Sequence, residues 1–351
     1  MKSSSERSRF GADIVTLTMN PALDVTTGAD CVVPTDKVRC HGARYDAGGG
    51  GINVARVATV LGASVTAVFP VGGPTGDLVT ELVAAADVPY RRVAISEPTR
   101  ESFTVDEGCS GRQYRFVLPG PRLTTAEQAK CLDELEYAAR SARIVVASGS
   151  LPPGVPLDFY QRVADMCGEI GVPLILDASG GGLQHVRSGV FLLKPSVREL
   201  RECFGRELAT ESEQLAAAHS LITAGVAQAV VVSVGSKGAL LASSAGSQRF
   251  PAVPVRALSG VGAGDAMVAA IAVGVTRGWP LAKSVRFGIA TGAAMLMTPG
   301  TAPCQREESE RIFESSPEAE DVVDGPSPSS ASTAATAVGT AAATAADSPT
   351  P

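Results

Sequence analysis

The chain alternates short apolar runs with longer segments of helical periodicity, and this alternation constrains the fold more than any other feature. Three of the apolar runs end at polar residues or glycine: 174–176 at Asp177, 190–193 at Lys194 and 230–233 near Gly235. Continuous apolar runs of this length are typical of parallel strands that are covered on both faces. The pattern predicts an α/β domain with a mostly parallel sheet, whose ligands bind beyond the carboxyl ends of the strands.

Composition excludes several classes of protein. The 351-residue chain is 45% hydrophobic, enough to bury the core of one large α/β domain, and two domains are the alternative. Its formal net charge of -6 argues against a general nucleic-acid binder, because such proteins need cationic surface to displace counterions. No apolar run reaches the roughly 18 residues of a membrane helix, and residues 1–10 lack an apolar signal core. We expect a cytoplasmic protein without nucleic-acid or membrane partners.

Cysteine and histidine do not form a recognisable pattern. The seven cysteines are odd in number and lack any Cys-x-x-Cys pair, which argues against a disulfide framework and against a structural zinc site. The three histidines lie far apart in sequence, so a histidine-based hydrolase is disfavoured. We therefore expect carboxylates, lysines and backbone amides to carry the chemistry.

The heptad at residues 259–265, Ser-Gly-Val-Gly-Ala-Gly-Asp, runs directly into an uncharged apolar segment. Gly262 and Gly264 allow successive N–H groups to converge on one anion, and a following helix adds the positive end of its dipole. Asp265 would then lie within reach of a hydroxyl that approaches the anion, which suits phosphoryl transfer. A turn followed by an N-cap aspartate has equal weight on this heptad alone.

The two ends of the chain differ in composition from the rest. Residues 1–11 are mostly polar, and residues 315–351 are dominated by Pro, Ser, Thr, Ala and Asp, which cannot build a core. We predict disordered ends on either side of a folded domain at residues 12–314.

Four motifs follow one another along the domain: a glycine run at 48–51, Asn53, Ser-Gly-Ser-Leu-Pro-Pro-Gly at 148–154 and Val-Gly-Ala-Gly-Asp at 261–265. In order and spacing they resemble the phosphofructokinase B group of ribokinase-like sugar kinases, over roughly residues 13–312. The resemblance implies a three-layer α/β ribokinase-like fold with a mostly parallel sheet. It also implies a small β lid that covers the sugar and mediates a homodimer.

Two segments, near residues 31–45 and 99–118, are the candidates for this lid. Residues 31–45 alternate as a strand pair would, and short β-rich runs lie at 102–105 and 114–117. An ordinary edge hairpin is the alternative for each segment.

The resemblance implies catalytic roles for the end of the heptad. Asp265 would accept the proton of the attacking sugar hydroxyl, while Gly262, Ala263 and Gly264 would donate N–H groups to the transferred phosphoryl group. Phosphoryl transfer through a loose transition state requires mainly alignment and charge neutralisation, so a weak but well-placed base suffices.

On the sugar side, the resemblance implies contacts from a carboxylate, a glycine-rich segment and several cations. Asp24 would accept hydroxyl hydrogen bonds, with a turn aspartate after Pro21 as the alternative. The segment against the sugar would comprise Gly49, Gly50 and Asn53, with a plain glycine loop at a helix start as the alternative. Ser150 would lie near the substrate, with a turn at a strand end as the alternative. The candidate cations for the sugar phosphate are Lys37, Arg39, Arg100 and Arg115. Lys37 and Arg100 are the stronger candidates, and Lys37 is also placed among the catalytic residues.

For the nucleotide, the resemblance implies ATP with Mg²⁺, and K⁺ is left open as a further cation. Glu199 matches the acidic residue of an Asn-x-x-Glu motif that organises magnesium and its waters, with a solvated helix residue as the alternative. The chain departs from the family pattern where Ser196 replaces the expected Asn and Gly260 replaces a frequent Thr. The nucleotide contacts implied are Lys194, Ser196, Ser233, Gly235, Gly260, Gly262 and Gly264.

The all-glycine loop at 48–51 lacks the lysine that fructose-1-phosphate and tagatose-6-phosphate kinases usually carry there. With Lys37 and Arg100 it is similar to family members that use ATP to convert fructose-6-phosphate to fructose-1,6-bisphosphate, which is the function we expect. Kinases for tagatose-6-phosphate or fructose-1-phosphate remain alternatives. Because Ser196 replaces the expected asparagine, a catalytically weak regulatory protein that binds a sugar phosphate is a further alternative. A dinucleotide-dependent dehydrogenase is disfavoured, since no Gly-x-Gly-x-x-Gly follows the first strand.

Overall fold

The computed structural model describes residues 12–179, 181–298, 300 and 302–322, which form a large helix-flanked sheet and a smaller sheet beside it. The strands are β1 (Ile14–Leu17), β2 (Ala22–Ala29), β3 (Cys40–Gly48), β4 (Val65–Val71), β5 (Tyr90–Ala94), β6 (Arg100–Glu107), β7 (Gln113–Val117), β8 (Ile144–Ser150), β9 (Leu174–Ser179), β10 (Val190–Leu193), β11 (Ala227–Ser233), β12 (Ala239–Ser243), β13 (Gly246–Phe250) and β14 (Glu320–Val322). The helices are α1 (Gly50–Val60), α2 (Gly73–Ala85), α3 (Thr125–Ala139), α4 (Phe159–Ile170), α5 (Val197–Phe204), α6 (Glu211–Thr223), α7 (Ala263–Thr276), α8 (Leu281–Leu296) and α9 (Arg306–Ser315).

The large sheet is mostly parallel, as predicted. Its strand order is β14-β13-β12-β11-β10-β9-β8-β1-β4-β5, and all neighbours from β11 to β5 pair in parallel. The strand order reverses at β1, because the chain first adds β4 and β5 on one side and later adds β8 to β11 on the other. Ligands of open α/β sheets bind at such a switch point. The topology therefore places the site beyond the ends of β1 and β8.

Helices cover both faces of this sheet, so the predicted three-layer α/β fold is confirmed. One face packs against α1, α7 and α8, with Ile52 and Phe287 fully buried there. The other face packs against α3, α4 and α6, with Leu135 and Val163 fully buried. Burial of each such side chain contributes roughly 1.5–3 kcal/mol. This packing holds the beginning of α7 in a fixed position at the strand ends.

The small sheet has the strand order β3-β2-β6-β7, with β2 and β6 parallel and the other neighbours antiparallel. Both candidate lid segments contribute to it, 99–118 through β6 and β7, and 31–45 through β3. The predicted strand pair within 31–45 is wrong, because residues 31–39 form an irregular connection. The strand that pairs with β3 is β2, which starts directly after Pro21.

The folded domain continues past its predicted end at residue 314. Residues 320–322 form β14, which pairs with β13 at the edge of the large sheet. Ser316 is buried, and its backbone carbonyl accepts a hydrogen bond of 2.8 Å from Arg286. The boundary at 315 therefore lies too early. Residues 1–11 and 323–351, the rest of the ends predicted to be disordered, lie outside the described residues.

The cysteines depart from expectation at one place. Cys31 and Cys109 are joined by a disulfide, with their Cα atoms 5.5 Å apart, although their spacing in sequence carries no signal for it. Cys131, Cys167 and Cys304 are buried free thiols. Among the described helices, none has the length and apolarity required to span a bilayer.

Candidate active site

A cavity of about 290 Å³ lies between the small sheet and the carboxyl ends of the parallel strands. Its walls contain most of the residues predicted to bind a sugar phosphate. The lid side supplies Asp24 from β2, Arg100 from β6 and Arg115 from β7. The side facing the large sheet supplies Gly49, Gly50, Asn53, Ser150, Gly260, Gly262 and Asp265.

The beginning of α7 separates this cavity from a second one. Gly262 is the N-cap residue with a left-handed φ of 80°, and a methyl group there would come within 2.9 Å of the Met295 side chain. The left-handed φ favours glycine, and any other residue would also have to displace the end of the Met295 side chain. The N–H groups of the first helical turn have no partner within the helix, so they can bind an anion at this point.

Asp265 lies in the first turn of α7 and is not its N-cap, so the turn alternative is wrong. The side-chain amide of Asn53, on α1, donates a hydrogen bond of 2.9 Å to Asp265 Oδ2. Burial raises the pKa of Asp265 to about 7, with a further contribution from the Asp177 carboxylate, while the Asn53 hydrogen bond opposes the shift. A carboxyl group with this pKa is suited to accept a proton near neutral pH.

Asp24 lies within β2, opposite Asp46 of β3, so it is a strand residue and not the turn aspartate of the alternative. Burial raises the pKa of Asp24 to about 6, although the positive charges of Arg100 and Arg115 oppose this. Arg100 donates hydrogen bonds to the carbonyl oxygens of Asn20 (3.0 Å) and Leu118 (3.2 Å). Its guanidinium is therefore held at the cavity wall before any ligand binds.

The end of β8 is held by two residues that the sequence did not single out. The amide of Asn20 donates a hydrogen bond of 3.1 Å to Ser150 Oγ. The hydroxyl of the fully buried Tyr160 donates one of 2.8 Å to the Gly149 carbonyl. These bonds fix the end of β8, where Ser150 lines the cavity, and no short motif marks either residue.

A buried ion pair lies beneath the first turn of α7. Lys194 Nζ is 3.1 Å from Asp177 Oδ1, and only 5% and 13% of these side chains are exposed. Burial alone would lower the pKa of Lys194, but the carboxylates of Asp177 and Glu199 outweigh burial and raise it. Burial raises the pKa of Asp177 despite the opposing charge of Lys194. A methyl group at Gly264 would lie 3.7 Å from Lys194 Nζ, so the ammonium is next to the predicted anion site.

Ser196 and Glu199 form a capping box at the beginning of α5. Ser196 Oγ accepts a hydrogen bond from the Glu199 N–H, and Glu199 Oε2 accepts hydrogen bonds from the Ser196 N–H and hydroxyl. The Ser-x-x-Glu pattern is a known signature of this cap, so the sequence contained the signal. Glu199 is therefore an anchored residue, and a solvated helix position is wrong for it.

A second cavity, of about 650 Å³, lies on the other side of the α7 N-terminus. Its walls are largely apolar, with Val253, Val255 and Ile289 among them. The predicted nucleotide contacts that line it are Ser233, Gly235, Gly260 and Gly264. A large apolar cavity that opens onto an anion site fits a flat base with an attached polyphosphate.

Lys37 and Arg39 are exposed on the connection between β2 and β3, and neither lines the cavity. Arg115, a weaker candidate, does line it. Within the described part of the chain, the structure thus brings together every predicted sugar-side residue except these two.

Comparison with known proteins assigns the family. The pfkB family carbohydrate kinase pattern matches residues 17–308. The chain belongs to the pfkB family of carbohydrate kinases. This confirms the resemblance carried by the glycine motifs. The pfkB chain is 66% identical to "ATP-dependent 6-phosphofructokinase isozyme 2" of Mycobacterium tuberculosis, over 86% of this chain and 89% of that protein.

Solved structures of phosphofructokinase-2 from Escherichia coli have the same fold as this pfkB chain. The complex with potassium is 37% identical with a TM-score of 0.83, and the complex with fructose-6-phosphate is 36% identical with a TM-score of 0.81. A tetrameric inhibited form is 36% identical with a TM-score of 0.82. Each comparison covers 87% of this chain and 99% of the other.

The residues present fit a magnesium ion that is bound largely through nucleotide phosphates and water. In the described ranges, no three His, Cys, Asp or Glu side chains form a cluster that could hold a metal ion by itself. Magnesium in phosphoryl-transfer sites usually has one or two protein carboxylates, with phosphates and waters as its other ligands. The hydrogen bonds from Ser196 use Oε2 of Glu199. Its Oε1 lies 4.0 Å from the guanidinium of the exposed Arg198 and can still accept a hydrogen bond from a metal-bound water.

Proposed function

We propose that the protein transfers the γ-phosphoryl group of ATP to fructose-6-phosphate, giving fructose-1,6-bisphosphate. The observation that carries the proposal is the position of Asp265 and the α7 N-terminus between a cation-lined cavity and a larger apolar one. The names of the M. tuberculosis and E. coli relatives support this choice of substrate.

In this proposal the sugar phosphate binds in the smaller cavity, with its phosphate near Arg100 and Arg115 and its hydroxyls near Asp24 and Asn53. Asp265 accepts the proton of the attacking hydroxyl. The N–H groups of residues 262–264 and the Lys194 ammonium bind the negative charge of the transferred group. Glu199 would hold a magnesium ion through its waters, and the ion would supply further neutralisation of the phosphate charge.

A panel of hexose phosphates, each incubated with ATP, Mg²⁺ and K⁺, tests the substrate. We expect the highest kcat/KM for fructose-6-phosphate. A kcat/KM at least about tenfold higher for tagatose-6-phosphate or fructose-1-phosphate would reject fructose-6-phosphate as the preferred substrate, although the protein would still be a kinase. Such a ratio corresponds to about 1.4 kcal/mol of difference in transition-state stabilisation between the two substrates. Calorimetric binding of fructose-6-phosphate without ADP release would instead favour a regulatory binding protein.

The raised pKa of Asp265 should make the activity pH-dependent near neutrality. A base must be ionised to accept a proton, so kcat/KM should rise with pH, reach half of its maximum near pH 7 and level off above that pH. Because the folded state favours the neutral acid, its ionisation should lower the free energy of unfolding as the pH rises from the ordinary pKa of 3.8 towards 7. A pH profile of kcat/KM checks the first statement, and a flat profile would contradict it.

Arg100→Ala should raise the KM for the sugar phosphate by about 10- to 100-fold, since hydrogen bonds to a charged group contribute about 1.5–3 kcal/mol. The KM for ATP should not change, because Arg100 does not line the larger cavity.

Lys37→Ala, measured in parallel, tests whether Lys37 contacts the sugar phosphate although it lies outside the cavity. An unaltered KM for the sugar phosphate would remove Lys37 from the site.

A homodimer through the lid is part of the proposal. The outer strand of the small sheet exposes Phe116 (52%), Val117 (61%) and, just beyond it, Leu118 (44%). Exposed apolar residues next to each other on an edge strand favour association with a second copy. The E. coli relative is described as tetrameric in its inhibited form, so light scattering should distinguish two subunits from four.

We also propose that the enzyme acts in the cytoplasm, where its substrates would occur.

A further inference from the structure

Two exposed cysteines occupy equivalent positions at the end of the lid sheet that is remote from the sugar residues. Ala29 of β2 is in register with Glu107 of β6, and Cys31 and Cys109 each follow two residues later. The Gly108 and Cys109 N–H groups donate to the carbonyls of Ala29 (2.9 Å) and Asp30 (2.8 Å), which continues the pairing beyond the strands. The backbone thus brings the two Cα atoms within 5.5 Å of each other.

A buried carboxylate holds the same two segments together without any covalent bond. Glu107 Oε1 accepts a 2.6 Å hydrogen bond from the N–H of Val32, which follows Cys31. Its Oε2 accepts a hydrogen bond from the hydroxyl of Ser110, which follows Cys109. Only 7% of Glu107 is exposed. We expect these hydrogen bonds to keep the two thiols adjacent after reduction, a condition for a disulfide that forms and breaks reversibly.

We propose that Cys31 and Cys109 form a reversible redox modification site, oxidised by low-molecular-weight disulfides and reduced by low-molecular-weight thiols. One thiolate attacks a sulfur of the oxidant RSSR, and RS⁻ leaves. The second thiolate attacks the resulting mixed disulfide, which closes the Cys31–Cys109 bond and releases another RS⁻. Two electrons pass from the protein to the oxidant. The exposure of both cysteines gives oxidant and reductant access to the sulfurs.

The Cys31–Cys109 bond would control the conformational freedom of the connection between β2 and β3. Residues 31–39 of this connection are irregular and include the exposed Lys37 and Arg39. In the oxidised protein Cys31 is attached to the segment between β6 and β7, which restricts how far the connection can open.

Trypsin measures the opening directly, because it cleaves after Lys37 and Arg39. The intact chain, oxidised with glutathione disulfide, should yield the peptides of Cys31 and Cys109 as one linked mass, which dithiothreitol separates. Cleavage after Lys37 and Arg39 should be about tenfold slower in the oxidised than in the reduced protein, since a cross-link restricts local opening. Cleavage after the exposed Arg140 serves as the internal reference and should not change.

Cys109→Ser should abolish both the linked mass and the protection. Cys203→Ser, a matched change at a free thiol on α5, should retain both. The proposal would be overturned by a bond between Cys31 and the exposed Cys40, by glutathione retained separately on Cys31 and Cys109, or by equal cleavage in both redox states. Neither readout requires turnover, so these results are independent of whether the kinase proposal holds.

Discussion

Asp265→Asn should lower kcat by about 10²–10⁴-fold, because a well-positioned general base usually contributes that much. Asparagine has nearly the same shape, and its side-chain oxygen can accept the hydrogen bond that Asn53 now donates to Asp265. The cavity should therefore keep its form while it loses the only group of this pair that can accept a proton. Turnover is measured by ADP release, and fructose-6-phosphate binding by calorimetry, where we expect little change.

Asp87→Asn is the matched control. Asp87 is exposed and has a φ of 55°, a left-handed conformation that asparagine tolerates well, so this variant should retain the kcat of the parent. If Asp265→Asn also retained it, Asp265 would not be the base. A large loss of sugar-phosphate affinity would point instead to a role of the carboxylate in binding.

The parts of the site predicted from the sequence share a physical reason. Gly262 and Gly264 are needed for backbone geometry, and Asp265 follows them directly, so local sequence determines their arrangement. The position of the site was also predictable, because parallel strands place their carboxyl ends at one edge of the sheet. Neither inference requires knowledge of contacts between distant residues.

Long-range contacts account for what the sequence did not predict. In the sequence, Asp177 is one of several polar residues that follow a short apolar run, and only the pairing of β9 with β10 brings it to Lys194. In the sequence, Tyr160 is part of an ordinary apolar helix face, and only the fold brings its hydroxyl to the Gly149 carbonyl. The Cys31–Cys109 disulfide joins residues 78 positions apart, and the register of β2 with β6 aligns them.

Two local patterns predict something other than what the structure contains. The alternation in residues 31–45 predicts two strands, but only residues 40–45 of that segment lie in a strand, β3, whose partner β2 starts directly after Pro21. In the sequence, Ser196 stands out as the residue that replaces the expected asparagine. It is also the first residue of a capping box, a role for which serine is well suited. The departure from the family pattern therefore still has a structural purpose.

Lys194→Met should lower the free energy of unfolding by about 3–5 kcal/mol at neutral pH, because it leaves the carboxylate of Asp177 buried without its cation. Methionine retains most of the volume of the aliphatic stem, so packing is nearly preserved. The difference in the free energy of unfolding between the parent and the variant should become smaller as the pH falls, since a protonated Asp177 carries no charge. Urea unfolding at several pH values measures this, with Lys130→Met, at an exposed position of α3, as the control.

The double variant Asp177→Asn/Lys194→Met separates stability from catalysis. Removing both charges should restore most of the stability, because neither partner is left as an isolated buried ion. Activity should stay low, since no ammonium remains beside the N-terminus of α7 to bind the negative charge of the transferred group. Recovery of activity together with stability would mean that Lys194 has a structural role only. Parent-like stability in Lys194→Met alone would mean that water reaches Asp177 and replaces the ion pair.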